Sequence, residues 1–152
     1  MLDRLMATRD DWSLMLLRLA TGIMILPHGL QKAFGMFGGG GISGTVEFLN
    51  GGLHIPVLLV YLAIAAEILG GVGLILGVLT RVAAFAVLCN MVIGVLMVHL
   101  PNGFFMNWSG TQKGEGVEFH LLAVSILLVI MVRGAGAFSI DGATVRPDRR
   151  FT

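Results

Sequence analysis

Charged residues are scarce in this chain. Asp, Glu, Lys and Arg make up 12% of its 152 residues, against roughly 25% in an ordinary soluble domain. Cysteine is scarcer still. The single thiol, Cys89, excludes an intrachain disulfide and a cysteine metal cluster, and its place inside an apolar run reads as a small packed hydrophobe. A net charge of +1 gives no reason to expect nucleic acid as a partner. Neither a cysteine pair nor a dinucleotide fingerprint is present, so any electron-transfer chemistry needs a partner to supply the electrons.

What fills the chain instead is apolar. Hydrophobic residues reach 56% and the mean hydropathy is +0.89, more apolar surface than a water-soluble protein of this size can hide. The length predicts one domain over residues 1–152. Four apolar runs, at about 13–32, 56–78, 82–100 and 117–133, are each about 17–23 residues long, enough to cross some 30 Å of hydrocarbon as helix. They lack the alternation of a barrel, and open strands would leave backbone groups unpaired in lipid. The expected class is therefore all-α, an integral membrane four-helix bundle. Pro56 suits a first helical turn, Thr80 suits a cap for the third helix, and residues 79–81 alone separate the second and third runs, which predicts a tight antiparallel hairpin. The first run exceeds the 7–15 residues of a signal-peptide core and has no A-x-A cleavage pattern, so it reads as a retained span.

Basic residues set the expected orientation. Arg4, Arg9, Arg81, Arg133, Arg146, Arg149 and Arg150 fall on the side of the termini, Lys32 and Lys113 on the other. Positive charge stays in the cytoplasm, so both termini are expected there, with two long outer loops at about 33–55 and 101–116. Residues 44–51 read as a short helix with a glycine stop. Phe104, Phe105, Met106 and Trp108 read as interfacial anchors or as a lid over a ligand site.

Ionisable residues within the spans are costly and mark functional sites by default. Helical spacing puts Glu67 on a stripe with Ala63, Gly70 and Gly71, facing protein. Arg18, Asn90 and Glu67 lie roughly 7, 12 and 16 Å inside the cytoplasmic edge. An Arg18–Glu67–Asn90 network is expected there, either as structural glue or as a protonatable carboxylate held beside a cation. The outer half collects His28, His99, Glu118 and His120, with Gln31, Lys32, Asn102 and Lys113 nearby. Imidazole beside carboxylate can bind metal, exchange protons or hydrogen-bond a carbonyl. Glu118 and His120 are two apart and point about 200° from each other on a helix. Only one can face a common cavity, and Glu118 is expected to be that one.

The sequence resembles the DoxX family over about residues 12–142. The motifs are His28-Gly29-Leu30-Gln31-Lys32, Phe37-Gly38-Gly39, Glu67-x-x-Gly70-Gly71, Gly77-x-x-Thr80-Arg81, His99-x-x-Asn102-Gly103-Phe104-Phe105-Met106-Asn107-Trp108, Gly114-Glu115-Gly116-x-Glu118-x-His120 and Gly134-Ala135-Gly136-x-x-Ser139-Ile140-Asp141. The resemblance implies a small four-helix protein of the bacterial inner membrane, multi-pass. Some relatives are the membrane subunit of a thiosulfate:quinone oxidoreductase or partner redox enzymes. Its conspicuous matches are His28, Lys32, Glu67, Arg81, His99, Asn102, Asn107, Glu118 and His120. The functional expectation is a quinone-linked redox subunit with an outer-half cavity. His28, His99, Glu118 and His120 would carry the chemistry, and Lys32, Glu67, Asn102, Asn107 and Trp108 would hold the quinone, with no resident metal. A small-solute or metal carrier and a scaffold for redox partners remain as alternatives. Expected partners are lipid, a soluble or peripheral redox protein at the outer face, and a second copy if the protein transports.

Overall fold

The computed structural model describes residues 2–145, and these are entirely helix and loop, with no strand among them. Arg146, Arg149 and Arg150, on which part of the expected charge asymmetry rests, lie outside the described residues. Helix α1 (Leu2–Met6) precedes α2 (Trp12–Phe34). A short helix, α3 (Gly41–Val46), widens into π-helical turns over Glu47–Gly52. Then come α4 (Val57–Leu76), α5 (Thr80–Gly94), α6 (Glu118–Arg133) and α7 (Ile140–Thr144).

Local chemistry sets the helix ends. Asp11 begins α2, its carboxylate accepting from the amides of Ser13 (2.8 Å) and Leu14 (3.2 Å), and Gly35 ends it at φ 71°, a left-handed conformation that glycine adopts without steric cost. Gly77 ends α4 in the same way. Thr80 is not the cap of α5. Leu79 takes that position, and the carboxylate of Asp141 accepts from the amides of Leu79 and Thr80, at 2.8 Å each, from across the molecule. Beyond Gly94 the helix continues through a π-helical stretch, Val95–His99, and a tighter turn, Leu100–Asn102.

Three segments, Trp12–Phe34, Val57–Leu76 and Thr80–Asn102, are long and apolar enough to cross a membrane. Helix α6 has 16 residues, about 24 Å at 1.5 Å per residue. The long helices close a ring, α2 on α4, α4 on α5, α5 on α6 and α6 on α2, around a core that includes Ile25, Leu74, Ala84, Val87, Leu127 and Ile130. Leu16, Ile23, Leu58, Leu62, Leu69, Phe85, Leu96, Leu122 and Val132 point outward, an apolar girdle larger than soluble monomers expose. Helices α2 and α4 meet closest. A Cβ on Gly22 would lie 2.8 Å from Ile75 Cγ1 and 2.9 Å from the Gly71 carbonyl, and one on Gly29 would lie 3.0 Å from Glu67 Cβ.

Candidate functional site

The expected network of Arg18, Glu67 and Asn90 is divided between two sites. Arg18 is 1% exposed and does not contact Glu67. Its guanidinium donates instead to the carbonyls of Leu74 (2.6 Å) and Ile75 (2.6 Å), at the end of α4, and to those of Ala135 (2.9 Å), Ala137 (3.4 Å) and Phe138 (3.1 Å). The last carbonyls of a helix have no intrahelical donor and carry partial negative charge, so they satisfy a buried fork of N–H groups without any carboxylate. Arg81 repeats the arrangement at the end of α6, donating to Met131 (2.6 Å) and Val132, and also to Ala7 (3.1 Å). Asp141 lies within electrostatic reach of both guanidiniums while it caps α5. This end of the molecule is a lock of backbone carbonyls and three charged side chains. Sequence reasoning missed the role of Asp141. The Ser139-Ile140-Asp141 motif was its only signal.

Glu67 is 2% exposed and does face protein. Its Oε1 accepts from the Lys32 ammonium, reaching from α2, and from the Asn90 amide of α5 at 2.8 Å. Its Oε2 is buried and has no hydrogen-bond partner. Gly29 presents no side chain at the α2–α4 contact, which brings the helices close enough for this pairing. The Lys32 side chain remains 35% exposed.

At the end of the bundle where the 95–118 segment turns back, the structure gathers two histidines and sends Glu118 elsewhere. His99 and His120 stack with ring centroids 4.0 Å apart and planes at 37°. His99 Nδ1 faces the Glu115 carbonyl at 2.9 Å, so that nitrogen carries the proton and Nε2 is the acceptor in the neutral ring. His120 is 8% exposed, and its Nδ1 has no well-formed hydrogen bond, the Gly116 carbonyl being its electrostatic neighbour. His28 is exposed, places Nδ1 3.0 Å from the Met24 carbonyl, and is near enough for its charge to act on His120.

The expected inward carboxylate, Glu118, instead accepts from the Met106 amide (3.0 Å) and the Trp108 indole (3.3 Å). The cause is the return of the loop. Residues 103–105 run beside 116–118, with bonds from Glu118 N to Phe104 O (2.9 Å), Gly116 N to Phe105 O (3.2 Å) and Val117 N to Gly103 O (3.2 Å). Residue 118 therefore faces the loop, and residue 120, half a turn round, faces α5. The expected facing of Glu118 and His120 is exchanged.

Three residues expected to hold a cofactor are engaged in this loop. Asn102 donates to the carbonyls of Val98 (3.1 Å) and Glu115 (3.3 Å). Asn107 bonds Gln112 through both groups of its amide, and its backbone amide donates to Glu115 Oε2 at 2.6 Å. Trp108 is 88% exposed. Among the described residues no group of three or more His, Cys, Asp or Glu is placed to hold a metal ion. A cavity of about 230 Å³ opens at the other end of the molecule, lined by Thr8, Arg9, Asp10, Phe138 and Ser139 among others, and not between the histidines. Chemically, this histidine end offers two imidazoles in contact, and the interior offers a carboxylate with one oxygen unused.

The sequence model of the DoxX family matches residues 13–100. A Bacillus subtilis protein named "Putative oxidoreductase CatD" is 32% identical over 127 residues, covering 84% of this chain and 83% of its own. A Haemophilus influenzae protein without an assigned function is 33% identical over 132 residues, covering 82% of this chain and 85% of its own. No solved structure matches significantly.

Proposed function

Because the chain belongs to the DoxX family, we propose that it is the membrane subunit of a quinone-linked oxidoreductase, with the quinone head group bound beside His99 and His120. The observation that carries this reading is the stacked pair itself: two imidazoles in contact at the outer end of an apolar bundle, one of them buried with a ring nitrogen left without a good partner. A ring nitrogen held only loosely by the Gly116 carbonyl fits a ligand that carries a carbonyl or a hydroxyl. A quinone supplies two-electron, two-proton chemistry, its carbonyls accepting hydrogen bonds and its reduced hydroxyls donating them.

Ring centroids 4.0 Å apart leave no room for a third ring between the imidazoles. The head group therefore lies against the ring edges, with its tail among the apolar helices. His99 and His120 orient it and hold or release the proton at Nε2 or Nδ1, and His28 tunes the pair by its charge. Glu118 orders the loop above them. Electrons come from a soluble or peripheral partner at the outer face, since the chain has a single cysteine and no dinucleotide fingerprint. The name of the Bacillus relative agrees with a redox role.

The protein sits in this reading in a bacterial inner membrane, crossing it four times, with both termini in the cytoplasm. Organic extraction of protein purified in mild detergent tests the proposal. Quinone should copurify with the wild type and be depleted in His120→Ala. A stoichiometric metal in its place would favour the carrier alternative, and the absence of both the scaffold.

A further inference from the structure

We propose that Glu67 is a proton-binding site within the apolar part of the molecule, gated from the outer side by Lys32. Glu67 lies midway along α4 and is almost wholly buried. Both of its hydrogen bonds fall on Oε1, from Lys32 and Asn90, while Oε2 is buried and unpartnered. An ionised oxygen in an apolar interior with no donor is a costly arrangement, and a proton is the smallest species that relieves it. The cation is the mobile half of the pair. Lys32 stands in the last turn of α2 with about a third of its side chain accessible, so its ammonium can pair with Glu67 or follow its flexible stem to the outer interface.

The step involves one proton. A proton from outer water binds Oε2 and converts the carboxylate to a neutral carboxyl. The ion pair ends, and the ammonium, keeping its own proton and charge, moves outward. Release of the proton reverses each change, and no carbon bond or electron is involved. The surrounding charges are few. From α2 come Lys32 and, one turn earlier, His28, whose ring is turned to the Met24 carbonyl; Arg18 is bound to carbonyls at the far end of α4. From α5 comes the neutral Asn90, with Cys89 exposed beside it. The π-helical turns after α3 bring Glu47, and α4 itself brings Tyr61, both exposed. Lys32 is the charged group in contact with Glu67.

This inference stands on its own geometry, and failure of the quinone test would leave it intact. Infrared difference spectra of the purified protein during acidification examine it. The wild type should gain a high-frequency carboxyl band that is slow to exchange with deuterium, the mark of a buried acid without strong hydrogen bonds. That band should be missing from Glu67→Gln, which preserves shape and hydrogen-bonding capacity. In Lys32→Met it should appear at a proton concentration roughly tenfold or more lower, because the cation favouring the carboxylate is gone. Lys32→Arg should restore wild-type behaviour, which separates loss of charge from misfolding. A band that survives in Glu67→Gln, no such band anywhere in the pH range of the folded protein, or a titration unmoved by Lys32→Met would each overturn the proposal.

Discussion

Arg18 and Lys32, on one helix, are neutralised by different means. Arg18 finds five backbone carbonyls and Lys32 finds one carboxylate. Their energetics should differ accordingly. Arg18→Met leaves buried carbonyls without donors and should destabilise the protein by about 3 kcal/mol or more, whereas the partly solvated Lys32 should matter less. Coupling should separate them further. In double-mutant cycles read by unfolding in detergent, Lys32→Met and Glu67→Gln should deviate from additivity by about 1 kcal/mol, and Arg18→Met and Glu67→Gln should add within about 0.5 kcal/mol. Strong coupling of Arg18 to Glu67 would show that the two form the pair that charge matching alone suggests. The burial of Glu67 was legible from its stripe of small neighbours. The partners of Arg18 were not, because carbonyl acceptors belong to every residue and become visible only when helix ends are placed.

Among the elements, the α2–α4 contact is set by glycines, and its tolerance should vary sharply by position. Gly22→Ala puts a methyl group 2.9 Å from the backbone oxygen of Gly71 and should cost about 1–3 kcal/mol. Gly94→Ala meets nothing within 4 Å and should be neutral or stabilise by up to about 1 kcal/mol. Equal effects in thermal unfolding would mean that the helices do not meet there. The 103–117 loop depends on Glu118 in a comparable way. Glu118→Ala removes the acceptor for Met106 and Trp108, and trypsin should then cut at the exposed Lys113 roughly tenfold faster. Unchanged cleavage would show that the loop is held by its backbone bonds alone. The apolar runs did locate the long helices to within a few residues. It could not give the orientation of residues 118 and 120, because the turn of α6 against the bundle is decided by where residues 103–105 return.

For the whole molecule, the apolar girdle and the distribution of basic residues bear on topology. Reporter fusions near Arg81 and at Thr152 should read cytoplasm, and those near Gly40 and Thr111 the outer side. A fusion at Thr152 reading the outer side would contradict either the number of crossings or their direction. Composition alone made the membrane class legible, and the family motifs mark both ends of the bundle. Those motifs do not distinguish a lock from a reactive site: Arg81 and Asp141 serve packing, whereas His99 and His120 form the pair on which the redox reading depends. The most direct test of that reading is the binding isotherm of a short-chain, water-soluble quinone on detergent-purified protein, measured calorimetrically for the wild type, His120→Ala and Glu118→Gln. The account predicts saturable binding by the wild type, weakening of roughly tenfold or more in His120→Ala, and near-normal binding in Glu118→Gln. Wild-type protein that binds no quinone, or His120→Ala protein that binds it as well as the wild type, would contradict it.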